Sequence, residues 1–534
     1  MNLRIFSFTF ALIALAFGSH AAKADWYEAS SEHFVIYADD SEKDIRRFAE
    51  NLERYQSALA NLTGRKLENP SPSNRVTIFV AGSGRDIRRL VGEKNSNIAG
   101  FYIPRAGGSK AFVQNIRHKN GYPHFSTVVL LHEYAHHFLI STNRHAMPRW
   151  LSEGAAEFFA ATTFNKDGSI LIGRPAQHRA YELSDRTPVT AWELLDPELS
   201  AEAGRSANSG FYGRSWLLYH YLTFSEERPG QLNAYWQQVA SGVPSLEAGE
   251  AVFGDLRELD RDLKAYLRER RMYTFNLGPD RLQIGEVTLR KLPEGEAEMM
   301  PLRMVSQRGV TREQAEELLP EIREVAAQYP GDAGVLSALA EAEYDAGNDD
   351  AAIAAADRAI AIDPARANPY VQKGYALFRK ASDADASEAD AAYEAAMKPF
   401  GDLNKRENDH PLPLIYFYRS FAERGMSPPE NARAALKHAA RLAPFDQGLW
   451  VQVAMMQARE GKIELAKASL QPLAADPHGS GPANLAKAMI TALDNGTEGE
   501  PFRLRTGSAA IMSIDLDDDD ADADDDGEGG AGGE

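Results

Sequence analysis

Alternating and periodic apolar positions divide the first 275 residues into short strands followed by helices. His33-Phe34-Val35-Ile36-Tyr37-Ala38 and Arg75 to Val80 read as strands, and Glu42 to Leu62 as an amphipathic helix between them. Asn69-Pro70-Ser71-Pro72-Ser73 is a loop, and Gly82-Ser83-Gly84 follows the second strand as a strand-to-helix turn. Asn97 to Pro104 and the alternating Lys110 to Gln114 complete a small sheet. The pattern then turns helical: apolar residues flank 132–136 on both sides, and Trp150 to Phe159, Trp216 to Phe224, Gln231 to Ala240 and Asp255 to Arg270 continue it. A small sheet followed by a helical half predicts an α+β domain over 25–275.

Residues 276–310 mix Pro, Gly and one alternating run, Arg281 to Val287, and read as a linker with a short hairpin or strand. Beyond them Leu336, Leu339, Ala340, Gly347, Ala352, Ala359 and Pro364 fall at the spacing of a 34-residue helix-turn-helix repeat. Trp450, Ala454, Gly461, Ala466, Leu470 and Leu473 form a second copy, with a half-copy at Ala432, Leu436, Ala439 and Pro444 before it. Tyr370, Gly374 and Leu377 open a further copy, interrupted by an Ala/Asp-rich insertion around Ser382 to Ala391. These units resemble tetratricopeptide repeats, so 311–500 is expected to be an all-α helical solenoid that recognises a protein partner. A plain helical bundle is the alternative.

The candidate chemistry lies in His132-Glu133-Tyr134-Ala135-His136, an H-E-x-x-H signature on a helix. Residues four apart share one helix face, so both imidazoles reach one Zn²⁺ while Glu133, about 100° further round, stands beside it as a general base. A second helix carries Glu153 and Glu157, again four apart, among Trp150, Leu151, Ala155, Ala156, Phe158 and Phe159, with Pro148 near its start. Carboxylates in so apolar a helix need a metal or a partner. Glu153 is therefore assigned as third ligand, completing the His₂Glu set of a catalytic zinc site. Glu157 is assigned as the second-shell carboxylate that accepts a ligand histidine's free ring N–H. A solvent-facing or Arg-paired carboxylate couple is the bland reading of the same pair.

With these residues in view, the chain resembles the gluzincin group of zinc metallopeptidases. Trp150-Leu151-Ser152-Glu153-Gly154-Ala155-Ala156-Glu157 is similar to that group's W-L-x-E-G-x-A-E helix. The resemblance implies one catalytic zinc on His132, His136 and Glu153, with Glu133 as base. It extends to Phe211-Tyr212-Gly213-Arg214-Ser215-Trp216, where a Tyr at the start of a comparable helix stabilises the oxyanion; Tyr212 is the implied donor, and an ordinary amphipathic aromatic is the alternative. Aminopeptidase-type members carry an amine-capturing Glu in a G-x-M-E-N segment, but residues 106–115 (Ala-Gly-Gly-Ser-Lys-Ala-Phe-Val-Gln-Asn) contain no acid. The expectation therefore leans to an endopeptidase, with the Lys110 to Gln114 strand as the sheet edge that binds substrate main chain.

Composition places this chemistry. Arg4, the apolar run Ile5 to Phe17 and Ala22-Lys23-Ala24 read as a signal peptide over 1–24, too short in its apolar part for a membrane span of roughly 18 residues. There is no cysteine, which excludes disulfides, thiolate ligands and a lipidated cysteine and suits an exported, periplasmic protein. Of the formal charge of −19, nine Asp and two Glu in 515–534 contribute −11, leaving −8 on the rest. The acidic tail over 501–534 is expected to be disordered and lacks the ordered loop of an EF-hand. No basic stripe is present, so no nucleic-acid partner is expected. The competing functional class is a catalytically inactive, peptidase-like scaffold that acts through its repeats.

Overall fold

The protein was analysed as a computed structural model, which describes residues 25–66, 69–92, 98–119, 122–142, 145–185, 187–196, 210–475 and 481–502. The expected signal peptide and almost all of the acidic tail lie outside the described residues.

The N-terminal half is built on a six-stranded mixed sheet. Its strands are β1 (Tyr27–Ser30), β2 (Phe34–Ala38), β3 (Val76–Val80), β4 (Gly100–Ile103), β5 (Lys110–Val113) and a late strand, Thr288–Lys291. Their order is Thr288–Lys291, β1, β2, β3, β5, β4. The pairs β2/β3 and β3/β5 are parallel and the rest antiparallel. Helix α1 (Glu42–Thr63) crosses from β2 to β3, starting where the Ser41 side chain accepts the Asp44 N–H. One sheet face carries Phe34, Ile36, Ile78, Ala111 and Val113 against α1 and the later helix α3 (Phe125–Thr142). The other carries Tyr37, Phe79, Phe112 and Phe101, whose rings stack across four strands at centroid distances of 5.4, 5.2 and 4.6 Å. That second face is covered by α2 (Gly84–Val91) and by the helix Glu294–Gln307, through Met300 and Met304.

Two expectations are corrected here. Residues 276–310 are not a linker: Phe275–Leu277 pairs with Ile170–Ile172, Thr288–Lys291 forms one edge of the main sheet, and Glu294–Gln307 roofs it. The alternating run at 281–287 is not itself a strand; the strand lies just beyond it, at Thr288–Lys291, paired with β1. Nor is Lys110 to Gln114 the sheet edge. β5 is bonded on both sides, and the edge on that side of the sheet is β4, the strand placed beyond it. Sequence periodicity locates strands but not their lateral order.

The described residues from Glu294 to Leu493 form helices joined by turns. Each helix packs on its successor, and alternate helices also touch, as Ala333–Asp345 does Asn368–Ser382 and Gln447–Arg459 does Gly481–Leu493. This is the two-layer packing of a helical repeat array, lined by buried Ala340, Ala352, Ala356, Ala359, Ala439, Ala454 and Ala466. The stretch read as an insertion is only a turn at 383–388 before the helix Ala389–Arg406. The array docks on the sheet domain through Asn74 Nδ2 to Leu442 O (2.8 Å), Ser73 N and Oγ to Glu407 (2.8 and 2.9 Å), and Ala106 N to Asp446 Oδ2 (2.8 Å). Phe445 lies 4.3 Å, centroid to centroid, from His137 on α3.

Candidate metal centre

Helix α3 is held in register by two buried tyrosines. The Tyr55 hydroxyl donates to Leu131 O (2.9 Å), and the Tyr134 hydroxyl donates to Gln56 Oε1 (2.9 Å). With Leu130, Leu131, Ala135 and Phe138 committed to the core, His132 and His136 are carried on another face, toward α4 (Arg149–Ala160). Pro148 is the N-cap residue of α4, and every residue from Trp150 to Ala160 is buried. α4 meets the helix Phe211–Phe224 closely at Gly154, where a Cβ would stand 2.5 Å from Ser215 O. That contact requires glycine and draws the Tyr212 helix against the one bearing Glu153 and Glu157.

The donors converge. His132 Nε2 and His136 Nε2 are 3.1 Å apart, and Glu153 Oε2 lies 3.2 Å from the first and 3.4 Å from the second. Ligands at about 2.0–2.1 Å from a tetrahedral ion are separated by about 3.3 Å, so this triangle has the size of one face of a zinc polyhedron. The donor chemistry agrees: two imidazoles and a carboxylate, 9%, 7% and 0% exposed, in an apolar surround. Burial opposes a charge on His132, but Glu153 and Glu157 outweigh it and hold its pKa well above the usual histidine value, so the site favours a positive charge. The residues fit a zinc ion.

The outer ring nitrogens also meet oxygens. His132 Nδ1 lies 3.2 Å from Glu157 Oε1, and His136 Nδ1 lies 3.2 Å from Ser152 Oγ. Glu157 additionally meets His178 Nε2 at 2.6 Å and Arg179 at 2.9 and 3.0 Å. Burial works against its charge, but Arg179 and His178 overcome this and keep the carboxyl well below its ordinary range. The bland reading, an Arg-paired carboxylate, thus holds for Glu157 together with its contact to His132. Glu133 is half-buried and near enough to Tyr102 on β4 for its charge to act there. Tyr212 is buried at the start of its helix, with its ring 6.3 Å from that of His132 and under the Arg179 guanidinium at 4.5 Å.

Sequence reasoning missed His178, Arg179 and Glu182. They sit in the short 3₁₀ turn Gln177–Arg179 and the helix Ala180–Leu183, a polar stretch with no periodicity and no motif. Among the described residues one other group has metal-ligand spacing, Glu32, His33 and Glu53. There Glu53 is occupied by His33 N (2.9 Å) and His33 Nδ1 (2.8 Å), an internal hydrogen-bonded tie.

A family described as "Protein of unknown function (DUF1570)" matches residues 125–245, the span from α3 past the Tyr212 helix and the helix Gln231–Ala240. That description specifies no activity. No curated protein matches the chain. Solved structures similar to it include a thermophilic TPR protein of Thermus thermophilus, with 16% identity over 37% of this chain and 98% of that one and a TM-score of 0.31. A MamA RS-1 ArsTM double mutant has 16% identity over 37% and 94%, with a TM-score of 0.26. Yeast Tom70 has 13% identity over 68% of this chain and 69% of that one, with a TM-score of 0.26. Likenesses this slight carry over neither ligand, partner nor activity. Among the described residues no helix is long and apolar enough to cross a membrane.

Proposed function

We propose that the chain is an exported zinc-dependent peptide hydrolase whose helical array engages a protein partner or substrate. The observation that carries this reading is the convergence of His132 Nε2, His136 Nε2 and Glu153 Oε2 within 3.4 Å of one another, one residue from a half-buried Glu133. Zinc held by His132, His136 and Glu153 would supply Lewis acidity there. Glu133 takes a proton from the attacking water at its carboxylate and returns it to the leaving nitrogen. Glu157 and Ser152 accept the outer ring N–H groups of His132 and His136 and so fix both imidazoles. Tyr212 is the proposed hydrogen-bond donor to the developing oxyanion.

Cleavage within chains is the proposed mode. Residues 106–115 supply no carboxylate to hold a terminal amine, and Ala106 N is engaged by Asp446 of the array. Elemental analysis of purified protein, with cleavage of a fluorescent unfolded protein before and after chelation, tests the proposal. One zinc per chain and chelator-sensitive cleavage are expected. Protein without zinc at neutral pH would instead leave an inactive scaffold as the better reading.

A further inference from the structure

We propose that Arg179 is a positioning residue that joins the carboxylate behind His132 to the start of the Tyr212 helix, setting the metal ligand and the oxyanion donor relative to each other. The inference rests on the metallohydrolase reading above. Arg179 faces three groups at once. Its Nε and Nη2 donate to Glu157 Oε1 at 3.0 and 2.9 Å, and the same oxygen lies 3.2 Å from His132 Nδ1. Its Nη1 donates to Glu182 Oε1 at 3.0 Å, while Glu182 Oε2 accepts the Gly213 N–H at 2.7 Å. Its guanidinium lies 4.5 Å over the Tyr212 ring.

The N–H of Gly213 belongs to the first turn of Phe211–Phe224, whose N–H groups have no carbonyl partner within the helix and where a carboxylate is favoured by the helix dipole. Position 213 is shaped to that carboxylate, since a Cβ there would stand 3.0 Å from Glu182 Cβ and 3.1 Å from its Oε2. Glu157 is 1% exposed, so water does not orient it; its geometry is set by the groups that surround it. His178, at 2.6 Å from Oε2, touches only the far oxygen, whereas Arg179 shares the oxygen that His132 uses. A planar fork donating in two directions while stacking on a ring is a task a lysine ammonium cannot perform.

The experiment titrates metal-free protein with Co²⁺, comparing wild type, Arg179→Ala and Arg179→Lys by visible d–d spectrum, chelator-competed affinity, melting temperature, and kcat and KM on a fluorescent unfolded protein. Arg179→Ala is expected to bind Co²⁺ about tenfold or more weakly, the usual effect of losing an outer-shell partner, with altered d–d bands and a fall in kcat rather than a rise in KM. Arg179→Lys restores charge without the fork and should stay closer to Ala than to wild type. A folded Arg179→Ala with wild-type spectrum, affinity and kcat, altered only in melting temperature, overturns the proposal. Should Arg179→Ala not fold, Glu182→Gln serves: lowered kcat at unchanged Co²⁺ affinity supports the tie to Tyr212, and unchanged kcat removes it. Wild type that binds no Co²⁺ overturns the metallohydrolase reading and this inference with it; wild-type binding with an unaffected variant overturns this inference alone.

Discussion

In the N-terminal half, apolar helices bury His132, His136, Glu153 and Glu157 within reach of one another. In the helical array the buried carboxylates are spent on caps, ion pairs and docking. Asp446 caps the helix Gln447–Arg459 by accepting the Leu449 N–H and also receives Ala106 N, and Glu343 is paired with Arg323 at 2.7 Å. Around these the array is filled with alanine and leucine. The carboxylates of the array are answered by arginines and backbone N–H groups, whereas two Nε2 atoms and a carboxylate oxygen within 3.4 Å form the donor set proposed above to hold a cation.

The sharpest way to break that contrast is Glu133→Gln. It should lower peptide hydrolysis by about 10²–10⁴-fold with zinc content unchanged, the range expected for losing a general base, as measured by turnover beside metal analysis. A fully active variant would falsify the role of Glu133. Next in size is metal removal. Chelation should destabilise the protein by about 4 kcal/mol when free zinc had stood near a thousand times its Kd, while His136→Ala abolishes that difference in calorimetry. Equal melting temperatures with and without chelator in wild type would place no zinc in the fold.

Acid should act on both halves through buried neutral histidines. In the N-terminal half, His220 donates from Nε2 to Gly173 O (2.9 Å), and its Nδ1 accepts from the Tyr266 hydroxyl (2.8 Å). In the array, His410 Nδ1 accepts the Leu412 N–H at 3.2 Å. Burial lowers the pKa of each to about 4. Unfolded histidine titrates near 6.5, so each contributes stability that is complete above that pH and lost as pH falls from there toward 4, on the order of 3 kcal/mol apiece. Urea unfolding at pH 7, 5.5 and 4.5 should show His220→Gln and His410→Gln each flattening the slope; a variant with the wild-type slope assigns the acid sensitivity elsewhere. The smallest effect tests packing in the array. At Gly374 a Cβ would meet the Phe400 ring at 2.5 Å, so Gly374→Ala should cost about 1–3 kcal/mol in denaturant melts and leave zinc affinity unchanged. A change in zinc affinity would show that the two halves are coupled across the Phe445–His137 contact.

Much of the layout was legible in local pattern. Helical spacing placed His132 with His136 and Glu153 with Glu157 on two helices, because i and i+4 share a face whatever the fold around them. The same period marked the paired helices at Leu336–Pro364 and Trp450–Leu473. What stayed hidden depends on residues far apart in sequence. That β4 rather than β5 is an edge follows from which neighbours bond laterally, and that Thr288–Lys291 is the other edge follows from pairing with β1 some 260 residues earlier. Arg179 was invisible for a related reason: a polar residue in an irregular turn has no period to betray it, and its partners Glu157 and Tyr212 lie 22 and 33 positions away.

By itself, then, the sequence determined which side chains can act together on one helix, since the rise and turn of the backbone are the same in every protein. Only the tertiary structure decided that the two helices bring three donor atoms within 3.4 Å, that Tyr212 and Arg179 join them, and that the array rests against α3 at Phe445. Those are contacts between segments, settled by packing and by the need to satisfy buried polar groups, and no single segment carries them.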